Sequence, residues 1–98
     1  MIKNNILITT YANPDLDGVA CAVAYAELLQ KKNQNAEAAF FGILHREAHF
    51  VLRTFAIPQP EDAEKILLEN PNIILVDASD TRGIADKINT LNVIEIID

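Results

Sequence analysis

A chain of 98 residues, half of them apolar, is large enough for one buried core and too hydrophobic for a disordered tail. With 8 basic residues against 14 acidic ones the net charge is -6, which argues against a module that grips a nucleic-acid backbone. A lone cysteine, Cys21, excludes an intramolecular disulfide and suits a reducing compartment. The start of the chain has no secretory pattern, and the longest near-continuous apolar stretch, Val19 to Leu29, is too short to span a bilayer, so a soluble cytoplasmic protein with no membrane partner is expected.

Ile6 to Tyr11 is an apolar, β-branched run without clean alternation, the pattern of a strand buried on both faces. The polar turn Asn13-Pro14-Asp15-Leu16-Asp17-Gly18 comes next. Val19 to Leu29 then has high helix propensity, with four alanines that allow close approach to a sheet, and is expected as a buried crossover helix with Cys21 as a small core residue. Ala36 to Ile43 reads as a second strand, and Arg46 to Phe55 carries Ala48, Val51, Leu52 and Phe55 at helical spacing. After Pro58 and Pro60, Glu61 to Glu69 predicts a short helix that begins with acids, as the helix dipole favours. Ile73 to Asp77 is a third strand ending in an acid, Thr81 to Leu91 predicts a helix, and Val93 to Asp98 a fourth strand, again ending in an acid.

Strands that alternate with helices predict an α/β fold, a Rossmann-like open parallel sheet of about four strands in a single domain over residues 1–98. The first strand is expected in the centre, with the second and third on either side of it. That order makes neighbours of the loops after the first and third strands and brings Asp15, Asp17 and Asp77 to one edge of the sheet, at the switch point where such folds bind ligands.

Clustered carboxylates suit hard or borderline divalent cations, and added imidazole moves the preference towards Mn²⁺, Co²⁺ or Zn²⁺. The turn at Asn13–Asp17 also has a purely structural reading, a helix start with Asn13 or Asp15 as N-cap and Pro14 near the first helical position. Asp77 lacks such a role, because Ser79, Asp80 and Thr81 are better placed to cap the next helix. His45 and His49 could share a helix face, yet they lack the Glu directly after the first His of a zinc-protease motif and read as solvated. Tyr25 and the pair Phe40-Phe41 read as packing. No Ser/His/Asp arrangement, Walker loop or GxGxxG is present.

The segments Asn13-Pro14-Asp15-Leu16-Asp17 with Cys21 to Ala26 behind it, Phe41-Gly42, Ile74 to Asp77 and Val93 to Asp98 resemble, in order and spacing, the N-terminal part of the DHH phosphoesterase superfamily. Within it the chain is most similar to the manganese-dependent (family II) inorganic pyrophosphatases. The resemblance implies that Asp15, Asp17 and Asp77 are metal ligands for Mn²⁺, alternatively Mg²⁺ or Co²⁺. It implies that Asp98 is the Asp of the Asp-His-His motif, a catalytic-centre residue that orients neighbouring imidazoles. It also implies that the two histidines, a later metal-binding Asp and a substrate-gripping domain lie beyond residue 98. The chain then reads as an N-terminal fragment, inactive on its own, of an enzyme that hydrolyses a small phosphate-containing substrate. In the pyrophosphatases the first motif begins with a metal-binding His, and Tyr11 stands at that position here. The alternatives are a non-catalytic binding or regulatory module, or a phosphodiesterase acting on short oligonucleotides or nucleoside bisphosphates. An exposed edge strand leaves a homodimer open.

Overall fold

The computed structural model describes residues 5–58 and 60–98. Strand β1 (Asn5–Thr9) leads into helix α1 (Leu16–Lys31), followed by β2 (Asn35–Phe40), α2 (Arg46–Thr54), β3 (Glu61–Asp62), α3 (Ala63–Leu67), β4 (Asn72–Val76) and β5 (Val93–Ile97). All pairings in the sheet are parallel, in the order β3-β2-β1-β4-β5. This is the Rossmann-like open sheet expected, with β1 between β2 and β4. The fifth strand is β3, two polar residues paired with Ala39 and Phe40. Its pairing takes the first two residues of the helix expected from Glu61, so α3 begins at Ala63 with Asp62 as its cap, Oδ1 accepting the Glu64 N–H at 3.0 Å.

Both faces of β1 and β4 are buried, which is why their sequences run apolar without alternation. Ile6, Ile8, Ile74 and Val76 point to one face and pack under Val19, Ala22, Ala26 and Leu29 of α1 and Ala48 and Leu52 of α2. Leu7, Ile73 and Leu75 point to the other, where Ala63 of α3, Phe41, Ala78 and Ile84 close the core. Truncating any of these large side chains to alanine would cost about 2–5 kcal/mol.

Two further elements depart from expectation. The helix predicted over Thr81–Leu91 is a series of turns closed by i to i+3 hydrogen bonds, Ile84 N–H to the Thr81 carbonyl and Lys87 N–H to the Ile84 carbonyl, before a 3₁₀ turn at Thr90–Asn92. Asp80 starts this irregular path by accepting the Arg82 N–H on Oδ1 at 2.9 Å and the Arg82 guanidinium on Oδ2 at 2.7 Å, a local arrangement that competes with a helix. Helix α1 is not buried all round: Ala20, Cys21, Ala24 and Leu28 lie on its less covered side, because β5 lies at the sheet edge and nothing among the described residues covers this flank. Ile94 and Ile96 of the edge strand β5 are exposed as well. A register shift between Ile73 and Ile74 also sets β5 at a break in its pairing with β4. Among the described residues no helix is long and apolar enough to cross a membrane.

Candidate functional site at the β1–β4 switch point

The carboxyl ends of β1 and β4 are adjacent because β1 pairs with β2 on one side and β4 on the other. The loops that leave these strands therefore meet at the crevice where open α/β sheets take their ligands. Three hydrogen bonds tie the loop after β1 to the segment that follows β2. The Asn13 N–H donates to the Phe41 carbonyl and its Oδ1 accepts the Ile43 N–H, both at 2.8 Å, while the His45 N–H donates to the Pro14 carbonyl at 3.2 Å. Asn13 holds a left-handed conformation, φ 54°, which asparagine tolerates better than most residues.

Asp15 is the N-cap of α1. Its Oδ1 accepts the Gly18 N–H at 3.0 Å and its carbonyl accepts the Val19 N–H at 3.1 Å. Pro14 accordingly precedes the cap instead of sitting in the first helical turn. Helix start and ligand are compatible roles here, since the cap commits one carboxylate oxygen and leaves the other. A Cβ at position 18 would come within 2.8 Å of Thr10 Cγ2, so glycine lets α1 begin this close to the end of β1. Asp17 lies in the first turn, exposed, where the helix N-terminus adds positive potential.

Asp77 comes directly after β4 in a left-handed conformation, φ 52°, with its carboxylate exposed and without a hydrogen bond among the described residues. Partial loss of water contact pushes its carboxyl above the usual aspartate value, and the negative charges of Asp15, Asp17 and Asp98 push it further. The four acids thus share one negative field, and the ion pairs described, Glu27–Lys31, Glu61–Lys65 and Asp80–Arg82, place no cation on any of them. Asp98, just past β5, reaches the group from the far side, along a groove that Asp77, Val76, Ile97 and Cys21 also line. An all-carboxylate donor set without a counter-ion suits Mn²⁺ or Mg²⁺ in chemistry. Among the described residues no three donors converge into a group that encloses a cation.

Tyr11 is half-buried at the same crevice. Its hydroxyl accepts the Ser79 N–H at 3.3 Å, and its ring lies over Gly83, where an added Cβ would approach Tyr11 Cε1 to 2.7 Å. No pattern in the sequence announces this contact, which depends on the irregular path after β4. His45 and His49 do not share a helix face. His45 precedes α2 as its N-cap, without a side-chain cap bond, and lines a hollow of about 340 Å³ together with Tyr11, Asp15 and Asp77. His49 sits inside α2 and faces a separate hollow with Glu61 and Asp62. The place of His45 beside Asp15, which its sequence neighbours do not reveal, comes from the Pro14–His45 backbone bond. Cys21 is exposed, contrary to its expected core position. Loss of hydration raises its thiol pKa, and the charges of Asp77, Asp17 and Asp15 raise it further, so it stays a thiol and a poor nucleophile.

No family model matches the chain. Over 93 residues, 95% of its length, it is 36% identical to probable manganese-dependent inorganic pyrophosphatases of Bacillus mycoides (strain KBAB4) and Bacillus cereus (strain B4264), and at the same identity to one of Bacillus anthracis (strain CDC 684 / NRRL 3495). The chain spans 30% of the length of these curated relatives. Since only 5 of the 98 residues fall outside the 93 that match, the matched stretch takes in Asp15, Asp17 and Asp77.

Proposed function

We propose that the chain is the N-terminal part of a manganese-dependent phosphohydrolase of the DHH type, most like an inorganic pyrophosphatase that cleaves diphosphate into two phosphates. The observation that carries this reading is the hollow at the switch point that Asp15 and Asp77 line together, with no cation on either among the described ion pairs. The similarity to the Bacillus pyrophosphatases supports it.

In this reading Asp15, Asp17 and Asp77 hold the divalent ion, Mn²⁺ by the relatives' names, with Mg²⁺ or Co²⁺ as alternatives. Bound there, such an ion polarises phosphoryl oxygens and lowers the pKa of a water molecule. The residues of the chain do the rest by placement. The Asp15 cap fixes one carboxylate relative to α1, whose N-terminus favours a phosphate nearby. Asp98 orients neighbouring imidazoles by hydrogen bonding instead of binding the ion itself. The chain spans 30% of the relatives' length, and in this reading its 98 residues carry only part of the ligand set, so alone they bind metal weakly and turn over little diphosphate.

A thermal-shift titration with Mn²⁺ tests this. At ten times the dissociation constant, binding to the folded state adds about 1.4 kcal/mol, a rise on the order of 5 °C for a domain of this size. The rise should vanish in Asp77→Asn and shrink in Asp15→Asn. Indifference of the unaltered chain to Mn²⁺ would overturn the metal reading and favour a binding module that keeps its acids as caps.

A further inference from the structure

Resting on the metal reading above, we propose that Tyr11 is a positioning residue that holds the Asp77 loop at the crevice beside Asp15. The segment after β4 is pinned to the end of β1 at two points, the Ser79 N–H donating to the Tyr11 hydroxyl at 3.3 Å and Gly83 lying against the Tyr11 ring. Between β4 and the first of these points stands Asp77 at φ 52°, a left-handed conformation that aspartate tolerates better than most residues with a Cβ. Its carboxylate is exposed and has no hydrogen bond among the described residues, so nothing on the Asp77 side chain itself holds the loop at the crevice. On the β5 side the loop is anchored by Ala78, which is buried in the core and donates its N–H to the Ile97 carbonyl at 3.4 Å. Tyr11 anchors it on the β1 side, two residues past the end of that strand, and lines the hollow that Asp15 and Asp77 also line. The role uses both parts of the side chain: the ring fits only because position 83 carries no Cβ, and the hydroxyl reaches a backbone donor that would otherwise point at solvent. Tyr11 therefore acts on the site through Asp77 and is not itself a ligand.

The test is the Mn²⁺ dissociation constant of the 98-residue chain and of Tyr11→Phe, which keeps the ring and removes the hydroxyl. It is measured by calorimetric titration beside the metal-free melting temperature and the hydrogen-exchange rate of the Ser79 amide. We expect Mn²⁺ binding about tenfold weaker, the size typical of losing a partner that orients a ligand, faster exchange at Ser79, and a metal-free melting temperature close to that of the parent. Gly83→Ala, which displaces the ring, should weaken Mn²⁺ binding in the same way. Equal dissociation constants for parent and Tyr11→Phe would overturn the positioning role while leaving the metal reading intact. Absence of Mn²⁺ binding by the parent chain would overturn both, and an unchanged Ser79 exchange rate would overturn the brace itself.

Discussion

Asn13 and Gly42 occupy one space: a Cβ on Gly42 would run into the Asn13 side-chain oxygen, the same atom that accepts the Ile43 N–H. Gly42 also holds φ 79°, in the left-handed region. Gly42→Ala therefore has to displace Asn13, break the bond to Ile43 and strain its own backbone, at a combined cost of about 2–4 kcal/mol. Chemical denaturation should show that loss, and because Asn13 leads directly into the Asp15 cap, the altered chain should also bind Mn²⁺ more weakly than the parent.

Asp77→Asn should stabilise the metal-free chain. Since the fold raises the Asp77 carboxyl pKa, through lost hydration first and then through Asp15, Asp17 and Asp98, its ionised form is the destabilising one at neutral pH. Asparagine removes that charge and accepts the left-handed backbone as readily as aspartate. Exposure of the side chain screens the effect, and a rise of about 2 °C in metal-free melting temperature is expected. The same substitution should abolish stabilisation by Mn²⁺, so the two melting curves cross over as metal is added.

Alkaline pH should loosen the contact between α1 and β5. The Tyr25 hydroxyl donates to Glu95 Oε1 at 3.0 Å, and that bond, with lost hydration and the Glu95 charge, raises the phenol above its ordinary value of 10.0. The folded chain thus keeps this proton more tightly than the unfolded chain. Its contribution to stability is present below about pH 10 and is lost as pH rises through the raised value. Melting temperatures between about pH 9 and 11 should fall more steeply for the parent than for Tyr25→Phe, and parallel slopes would show the bond to be without weight.

Much of the fold is legible in the sequence because β1 and β4 bury both faces: Ile6 to Tyr11 and Ile73 to Asp77 read as buried strands without any knowledge of their neighbours, and short crossovers then leave few topologies. The convergence of the two loops comes from that order. Sequence does not supply the features made by partners distant in the chain. Glu61 and Asp62 have no strand pattern of their own and become β3 only by pairing with Ala39 and Phe40. The stretch from Thr81 has helical composition, but Asp80 captures Arg82 and Gly83 lies under Tyr11, so local bonds and a packing contact win over propensity. Cys21 reads as buried because α1 is rich in alanine. Its exposure reflects the uncovered flank beside β5, which periodicity within α1 does not report. His45 escapes the sequence because an i, i+4 spacing suggests a shared helix, whereas α2 begins one residue later, at Arg46.

If the acids at the switch point take up a divalent cation, substoichiometric Mn²⁺ should broaden backbone amide signals of the 98-residue chain selectively, and this is the most direct check on the site. Loss of the signals of Asn13 to Gly18 and of Asp77 to Ser79 is expected, with Asp98 affected next and the exposed Glu64 of α3 spared. The pattern should disappear in Asp77→Asn. Broadening spread over Glu47, Glu64, Glu69 and Asp86 as strongly as over the two loops, or none at all, would contradict a cation site at the switch point.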